Sequence, residues 1–211
     1  MIGIYGGTFD PVHYGHLRPA IDVFCTLDLS EIRFIPTGEP AHRAKPVATA
    51  EQRLDMLVLA TKHVDGLKVD AREIKRIGPS FMIDTIRSLK MDLPNEMFCL
   101  IVGMDAFLDF ASWREWETIT EQVNIVVTHR PTFNFDVMTL DSKLKNYLVR
   151  AKTTQKNDMY NHSAGKCFFC PVTQLDISST KIRQLVRHNM RLNYLLPDSV
   201  EHYLSQNAIY K

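Results

Sequence analysis

The chain has 211 residues, of which 45% are apolar and 23% charged, and we expect one globular domain over residues 1–211. Its formal net charge of +1 excludes a general attraction to nucleic acid or to an anionic membrane, so a polyanion must bind at a local site. No apolar run reaches the ~18 residues that a membrane span needs. Met1 leads into an apolar strand without a basic leader, which predicts a cytoplasmic location.

Short apolar strands alternate with amphipathic helices. The predicted strands are, in chain order, IGIYGG, EIRFIPTG, LKVDARE, MFCLIVG, VNIVVTHR and CFFCPV. Apolar residues recur at helical spacing between and after them, in the sets Leu17, Ala20, Ile21, Phe24 and Leu27; Leu54, Leu57, Val58 and Thr61; Ile83, Ile86 and Leu89; and Ile182, Leu185 and Val186. A last helix is expected from about Asp198. This alternation predicts an α/β protein, a doubly wound parallel sheet with C-terminal helices.

Two stretches carry weaker signals. Cys167 and Cys170 have the spacing of half a zinc site, but Cys25 and Cys99 stand alone and form no second pair. Residues three apart on a strand point to opposite faces, so we favour buried thiols over zinc or redox chemistry. The basic stretch 131–166 predicts a solvated helix and loop more readily than a patch for a polyanion, and we assign it no chemistry.

The segment GGTFDPVHYGH directly follows the first strand. Gly6 and Gly7 would let a ligand approach the backbone, and Thr8 would add a hydroxyl there. A helix is expected to start near His16, and helix N-termini favour phosphate. His13 and His16 lie one turn apart, so both rings can face one anion. The glycines fit neither a dinucleotide fingerprint nor a P-loop, and the remaining alternative is a glycine turn with two surface histidines.

A second cluster, DISSTKIR, also closes a strand and opens a helix. Ser179 or Thr180 would cap that helix, and Arg183 lies one turn inside it, where a guanidinium can reach phosphate oxygens. Capping alone would explain the serine and the threonine. Two such helix starts in one α/β domain nevertheless predict a triphosphate held between them.

With these two clusters, the sequence resembles the nucleotidyltransferase superfamily, which has a His-x-Gly-His signature and an Ile-Ser-Ser-Thr-x-x-Arg counterpart. Other segments narrow the resemblance to bacterial nicotinate-mononucleotide adenylyltransferases; they are PTGEPAHRAK, AEQRLDMLVLA, RIGPSFMIDTI and LIVGMDAFLDFASW. The resemblance implies a Rossmann-like fold and transfer of AMP from ATP to nicotinate mononucleotide, which gives deamido-NAD and pyrophosphate. The resemblance leaves sister enzymes as alternatives, with nicotinamide mononucleotide or phosphopantetheine as acceptor.

The resemblance also implies roles for individual residues. His13, His16 and Arg183 would be catalytic. The expected ATP-binding residues are Gly6, Gly7, Thr8, Phe9, His13, His16, Gly103, Asp105, Ser179, Thr180 and Arg183. The expected substrate-binding residues are His42, Arg43, Asp84, Thr85 and Trp113, the last three around the nicotinate. The resemblance also places backbone N–H donors to the nicotinate near Thr85 and just after Trp113, where a helix is expected to begin. Phe81-Met82 stands where the family often has Tyr-Thr. Mg²⁺ would be carried mainly by the ATP phosphates, without protein ligands, and the oligomeric state stays open, a homo-oligomer included.

Overall fold

A computed structural model describes residues 1–40, 45–129, 140–173 and 175–211 of the chain. Within them, seven strands form one parallel sheet in the order β4-β2-β1-β6-β7-β9-β8, and β3 pairs with β5. The strands are β1 (Ile2–Gly7), β2 (Glu31–Pro36), β3 (Glu39–Pro40), β4 (Leu67–Val69), β5 (Pro79–Ser80), β6 (Phe98–Gly103), β7 (Asn124–His129), β8 (Lys152–Thr153) and β9 (Cys167–Pro171). The predicted α/β class is confirmed.

Helices cover both faces of the main sheet. They are α1 (Tyr14–Leu27), α2 (Ala50–Thr61), α3 (Arg72–Lys75), α4 (Met82–Asp92), α5 (Met104–Leu108), α6 (Trp116–Gln122), α7 (Ser142–Ala151), α8 (Lys156–Asn161), α9 (Ser179–Arg187) and α10 (Asp198–Gln206). A 3₁₀ turn follows α5 at Phe110–Ser112. None of the described helices is both long enough and apolar enough to cross a membrane.

The core consists of two apolar clusters, one on each face of the sheet. One includes residues of α1, α2, α9 and α10, and the other includes residues of α4, α5, α6 and α7. The continuous apolar runs of β6 and β7 are buried on both faces, as expected for central parallel strands. Cys170 lies in the first cluster and Cys167 in the second, so these thiols point to opposite faces and pack as apolar groups.

Several local predictions are wrong in detail. The third strand stops at Val69 because the carboxylate of Asp70 accepts the Arg72 N–H at 3.0 Å, which turns the chain into α3. Val58 is 47% exposed, and α2 buries Arg53 and Met56 on its inner side. The basic stretch contains the amphipathic helix α7, whose apolar side is buried in the core, so this part is more than a solvated segment.

The topology creates one crevice at the centre of the sheet. From β1 the chain builds outward through β2 and β4, and from β6 it builds the other way through β7 and β9. The strand order therefore reverses between β1 and β6, and open α/β sheets bind ligands outside the carboxyl ends of the strands at such a point. Gly7 ends β1 and Gly103 ends β6, so two of the predicted site segments lie at this crevice.

Candidate functional site

The loop after β1 is shaped by Phe9. This residue has a φ of 51°, and its ring is 2% exposed and packs edge-on against the ring of His16. A Cβ on Gly7 would lie 2.8 Å from the Phe9 ring, and a Cβ on Gly6 would lie 2.5 Å from the Met82 methyl group. A side chain at Gly7 would therefore collide with the buried Phe9 ring, whereas the flexible Met82 side chain could move away from one at Gly6. Because Phe9 is buried as a whole residue and does not line the cavity at the carboxyl ends of β1 and β6, it supports the loop from beneath.

The two histidines stack at the start of α1, which begins at Tyr14, two residues earlier than expected. His13 is its N-cap, and the ring centroids of His13 and His16 are 3.8 Å apart. The backbone N–H of His13 donates to Nδ1 of His16 over 3.3 Å. Since Nδ1 accepts this bond, neutral His16 carries its proton on Nε2, where it can be donated to a ligand.

Both histidines are electrostatically tuned toward the neutral form. Burial lowers the pKa of His13 from 6.5 to about 4. Burial, together with repulsion from His13, holds the pKa of His16 well below its ordinary value. Removing a charged imidazole from water costs free energy that no neighbouring anion offsets here. A phosphate placed against the rings would supply that anion.

The start of α9 is fastened to the same loop. Ser178, rather than Ser179 or Thr180, caps this helix, because its hydroxyl accepts the Lys181 N–H at 3.2 Å. The hydroxyl of Ser179 is used differently and donates to the Pro11 carbonyl at 2.9 Å. The two predicted phosphate clusters, about 170 residues apart, thus meet at one place.

Arg183 completes this junction. Its Nη1 donates to the carbonyl of Asp10 at 2.7 Å, and its Nη2 donates to the hydroxyl of Thr180 at 3.2 Å. The guanidinium is therefore held at the start of α9 with five N–H donors, more than these two bonds use. The arrangement places the positively charged guanidinium against the loop that leads to His13 and His16.

A cavity of about 250 Å³ opens at the carboxyl ends of β1 and β6. It is lined by residues from several elements: Tyr5, Gly6, Gly7, Thr8, Thr37, Pro40, Glu73, Ser80, Phe81, Met82, Leu100, Ile101, Val102, Gly103, Ala106, Trp113, Arg114 and Ile119. The Trp113 ring contacts Phe110 edge-on, with centroids 5.2 Å apart. Trp113 therefore lines a cavity that adjoins the loop after β1. Asp105 is exposed beside this cavity. Burial of Tyr5, together with the charge of Asp105, raises the pKa of Tyr5 to about 12.

Asp84 and Thr85 lie behind the cavity wall. Thr85 is fully buried, and its hydroxyl donates to a Glu73 carboxylate oxygen at 2.6 Å. Asp84 faces outward, 3.6 Å from the Arg87 guanidinium. The backbone N–H groups of both residues donate to the Phe81 carbonyl at 3.1 and 3.3 Å. These amides are therefore used within α4, and the expectation that a ligand meets donors near Thr85 does not fit this geometry.

The expected helix after Trp113 also begins later than predicted. Glu115 has a φ of 53° and precedes α6, which starts at Trp116. The Trp116 N–H bonds the Trp113 carbonyl at 3.2 Å, so a turn separates the tryptophan from the helix. His42 and Arg43, the remaining substrate-binding predictions, lie outside the described residues.

Two charged residues of the cavity were missed by sequence reasoning. Glu73 is 3% exposed, and burial raises the pKa of its carboxyl despite the hydrogen bond from Thr85. Arg114 places its guanidinium 4.6 Å from the centroid of the Phe81 ring. Glu73 lies in the short helix α3, and Arg114 lies in the turn before α6. Segments this short show no hydrophobic periodicity from which their position could be predicted. The one available sign was the atypical Phe81-Met82 pair, since both residues line the cavity.

The described residues contain no group of three or more His, Cys, Asp or Glu side chains that could hold a metal ion.

Known proteins share both the sequence pattern and the fold. The pattern of the family described as "Cytidylyltransferase-like" matches residues 4–185. A relative from Methylococcus capsulatus, named "Probable nicotinate-nucleotide adenylyltransferase", is 42% identical over 100% of this chain and 99% of its own length. One of the same name from Aeromonas salmonicida is 40% identical over 100% of this chain and 97% of its own length.

A solved structure shows the same architecture. "Plasmodium falciparum nicotinic acid mononucleotide adenylyltransferase complexed with NaAD" superposes with a TM-score of 0.72 at 18% identity, covering 99% of this chain and 96% of that one. This similarity confirms the Rossmann-like fold. The chain belongs to the cytidylyltransferase-like family and, by its similarity to the curated relatives, to the nicotinate-nucleotide adenylyltransferases within it.

Proposed function

We propose that this chain transfers AMP from ATP to nicotinate mononucleotide, which yields nicotinate adenine dinucleotide and pyrophosphate in NAD biosynthesis. The curated relatives carry the name of this activity over the full length of the chain. One observation of the structure supports it most strongly. Two helix N-termini, those of α1 and α9, meet at the reversal point of the sheet beside a cavity that a tryptophan lines.

The reaction requires no protein nucleophile. The 5′-phosphate of the mononucleotide attacks the α-phosphorus of ATP, the bond to the β-phosphate oxygen breaks, and pyrophosphate leaves with the electron pair. The protein has to hold two polyanions in line and stabilise the charge that grows on the leaving group. Mg²⁺ bound to the phosphates would supply further neutralisation of that charge.

His13 and His16 supply neutral donors to the ATP phosphates. Their low pKa values leave both rings uncharged in the free protein at neutral pH. The Nε2 proton of His16 is fixed by the bond that Nδ1 accepts. Preorganised donors of this kind stabilise the charge of a transition state without having to reorient. Gly6, Gly7 and Thr8 form the adjacent wall of the crevice.

Arg183 and the start of α9 close on the triphosphate from the other side. The remaining N–H groups of the guanidinium are charged donors for phosphate oxygens. Ser179 and Thr180 act chiefly by holding the helix and the guanidinium in place, as their hydrogen bonds indicate. Gly103 and the exposed carboxylate of Asp105 lie at the end of β6, where they can meet the ribose of the adenylate.

The cavity receives the nicotinate end of the acceptor. Trp113 offers a ring face for the pyridine, and Arg114 adds a positive charge at the lining that favours a carboxylate over an amide. Glu73 also lines this cavity, where the Thr85 hydroxyl, the Ser80 side chain and the Arg76 charge offset part of the charge of its carboxylate. We assign Asp84 and Thr85 to the support of this wall.

The whole of residues 1–211 is proposed to act as one nucleotidyltransferase domain, since residues from β1 through α10 share the same two core clusters. A cytoplasmic location and the oligomeric state stay predictions.

Product formation tests the function directly. The purified chain is incubated with ATP, Mg²⁺ and, in separate reactions, nicotinate mononucleotide, nicotinamide mononucleotide or phosphopantetheine. Pyrophosphate release and the mass of the product are measured. We expect nicotinate adenine dinucleotide from the first acceptor. Pyrophosphate release with phosphopantetheine, and none with either mononucleotide, would overturn the assignment.

A further inference from the structure

Asp10 is a buried carboxylate at the centre of the phosphate loop. It is 5% exposed, and its oxygens accept three hydrogen bonds from segments far away in the sequence. The backbone N–H of Val47 donates to Oδ2 at 2.9 Å, and that of Ala48 donates to Oδ1 at 3.0 Å. The hydroxyl of Tyr210 donates to Oδ1 at 2.6 Å. A carboxylate in this position requires such donors, because an unpaired buried charge is costly.

Arg183 lies at the edge of this group. Its Nη1 donates to the main-chain carbonyl of Asp10, and the same nitrogen is 3.6 Å from Oδ2 of the carboxylate. The guanidinium therefore bonds the neutral carbonyl and stops short of a hydrogen bond to the charged group. Oδ1 accepts two of the three donors and Oδ2, the oxygen that faces Arg183, accepts one, so these donors offset part of the negative charge that attracts the guanidinium.

Tyr210 reaches Asp10 from the segment after α10. Its side chain is 4% exposed, and the preceding residue, Ile209, is buried in the core cluster that also holds Leu204 of α10. The backbone of Tyr210 has a φ of 69°, a conformation that a bulky residue adopts only when its surroundings impose it. Core packing before Tyr210 and the hydrogen bond to Asp10 are the contacts that fix it there.

We propose that Tyr210 is a positioning residue for ATP binding: its hydroxyl occupies Asp10 so that the carboxylate does not draw Arg183 away from the triphosphate. Without the hydroxyl, Oδ1 keeps one backbone donor, and among the described residues the Arg183 guanidinium is the cation paired with this carboxylate, 3.6 Å from Oδ2. A charge-assisted bond to the carboxylate would then compete with the bonds to phosphate. This inference rests on the proposed role of Arg183 in holding ATP.

A matched pair of variants isolates the effect. Tyr210→Phe removes one oxygen and keeps the ring. Tyr203→Phe makes the same change on α10, where the hydroxyl donates to the Asp55 carboxylate at 2.7 Å, in an exposed contact that involves no residue of the site. We expect Tyr210→Phe to raise the KM for ATP about tenfold, the effect of one charge-assisted bond. The KM for nicotinate mononucleotide should stay within twofold, and Tyr203→Phe should change neither constant.

A double-mutant cycle tests the route through Arg183. In an Arg183→Ala background, Tyr210→Phe should have no further effect on ATP affinity, because the group that it releases is gone. The affinity for a non-hydrolysable ATP analogue, measured by calorimetry well below the melting temperature of each variant, gives the same comparison without the transfer reaction. This readout stays valid even if the acceptor proves to be another molecule. Equal ATP affinities for Tyr210→Phe and Tyr203→Phe, or an unchanged Tyr210→Phe effect without Arg183, would overturn the proposal.

Discussion

The two sides of the crevice are built in different ways. On the phosphate side, short segments after β1 and before α9 supply helix N-termini, two histidines and one arginine. On the cavity side, the wall is assembled from side chains of many separate elements. A phosphate site made from local backbone geometry leaves a compact motif in the sequence, whereas a pocket made by packing distant side chains leaves a scattered one.

The largest effect is expected on the phosphate side. Substituting His16 by alanine removes a preorganised donor to the leaving phosphates, so kcat should fall by roughly 10²–10³. The melting temperature should fall as well, because the His16 ring also accepts the His13 N–H and packs against Phe9, so turnover is measured at a temperature where the variant is fully folded. Steady-state kinetics of pyrophosphate release measures the loss, and His202→Ala, an exposed histidine of α10, serves as the control. A folded His16 variant with near-normal turnover would remove this residue from the mechanism.

The preference between nicotinate mononucleotide and nicotinamide mononucleotide tests the cavity side. The nicotinate carboxylate only accepts hydrogen bonds, and the positive charge of Arg114 favours it, so we expect kcat/KM for nicotinate mononucleotide to exceed that for the amide by at least ~10²-fold. Arg114→Ala should reduce this ratio. Trp113→Ala should lower kcat/KM for both mononucleotides and largely preserve their ratio, because stacking does not distinguish the two bases. Equal use of both mononucleotides by the unmodified protein would contradict the pocket assignment.

The support behind the wall should affect stability more than chemistry. Thr85→Val removes one donor to the buried Glu73 carboxyl, and because the Ser80 side chain and the Arg76 charge still stabilise that group, the loss should be about 0.5–1.5 kcal/mol, the net contribution of one hydrogen bond. Denaturant unfolding measures this loss. Thr61→Val is the control, because its buried hydroxyl donates to the neutral Leu57 carbonyl at 2.9 Å. If Thr85→Val instead raised the KM for the mononucleotide with no loss of stability, Thr85 would belong to the pocket itself.

The last effect is a pH dependence of stability, which requires no substrate. The pKa of His13 is about 4 in the folded chain and 6.5 ordinarily, so the unfolded chain binds more protons between these values. The contribution of His13 to the free energy of unfolding is therefore fully present above about pH 6.5. It decreases as the pH drops toward 4, by about 3 kcal/mol at most. Unfolding curves at pH 7 and pH 5 should differ less for His13→Gln. Identical differences in both proteins would show that His13 titrates normally.

The same contrast explains what the sequence could predict. The apolar runs of β6 and β7 and the spacing of Ile83, Ile86 and Leu89 identified buried elements correctly, because periodicity reports burial directly. The two phosphate clusters were joined correctly because a parallel sheet brings strand ends to one edge.

The rest depended on packing that periodicity does not encode. Thr85 does not line the cavity, because its position on α4 directs the hydroxyl to the buried Glu73 carboxylate. The capping role of Ser178 was missed because three consecutive hydroxyl residues offer equivalent local chemistry, and the Pro11 carbonyl selects Ser179 for another bond. Arg53 is 1% exposed and donates to the Thr8 carbonyl, a contact that spans 45 residues.

The central claim is that ATP phosphates and the mononucleotide base occupy these two different sides. Steady-state kinetics of Arg183→Ala and Trp113→Ala, with each substrate varied in turn, tests it most directly. Arg183→Ala should raise the KM for ATP and lower kcat/KM for ATP by tens- to hundred-fold, since charge-assisted hydrogen bonds contribute about 1.5–3 kcal/mol each. Trp113→Ala should raise the KM for nicotinate mononucleotide and leave the KM for ATP within about twofold, because stacking acts only on the base. If Arg183→Ala impaired the mononucleotide alone, or Trp113→Ala impaired ATP alone, the assignment of the two sides would be contradicted.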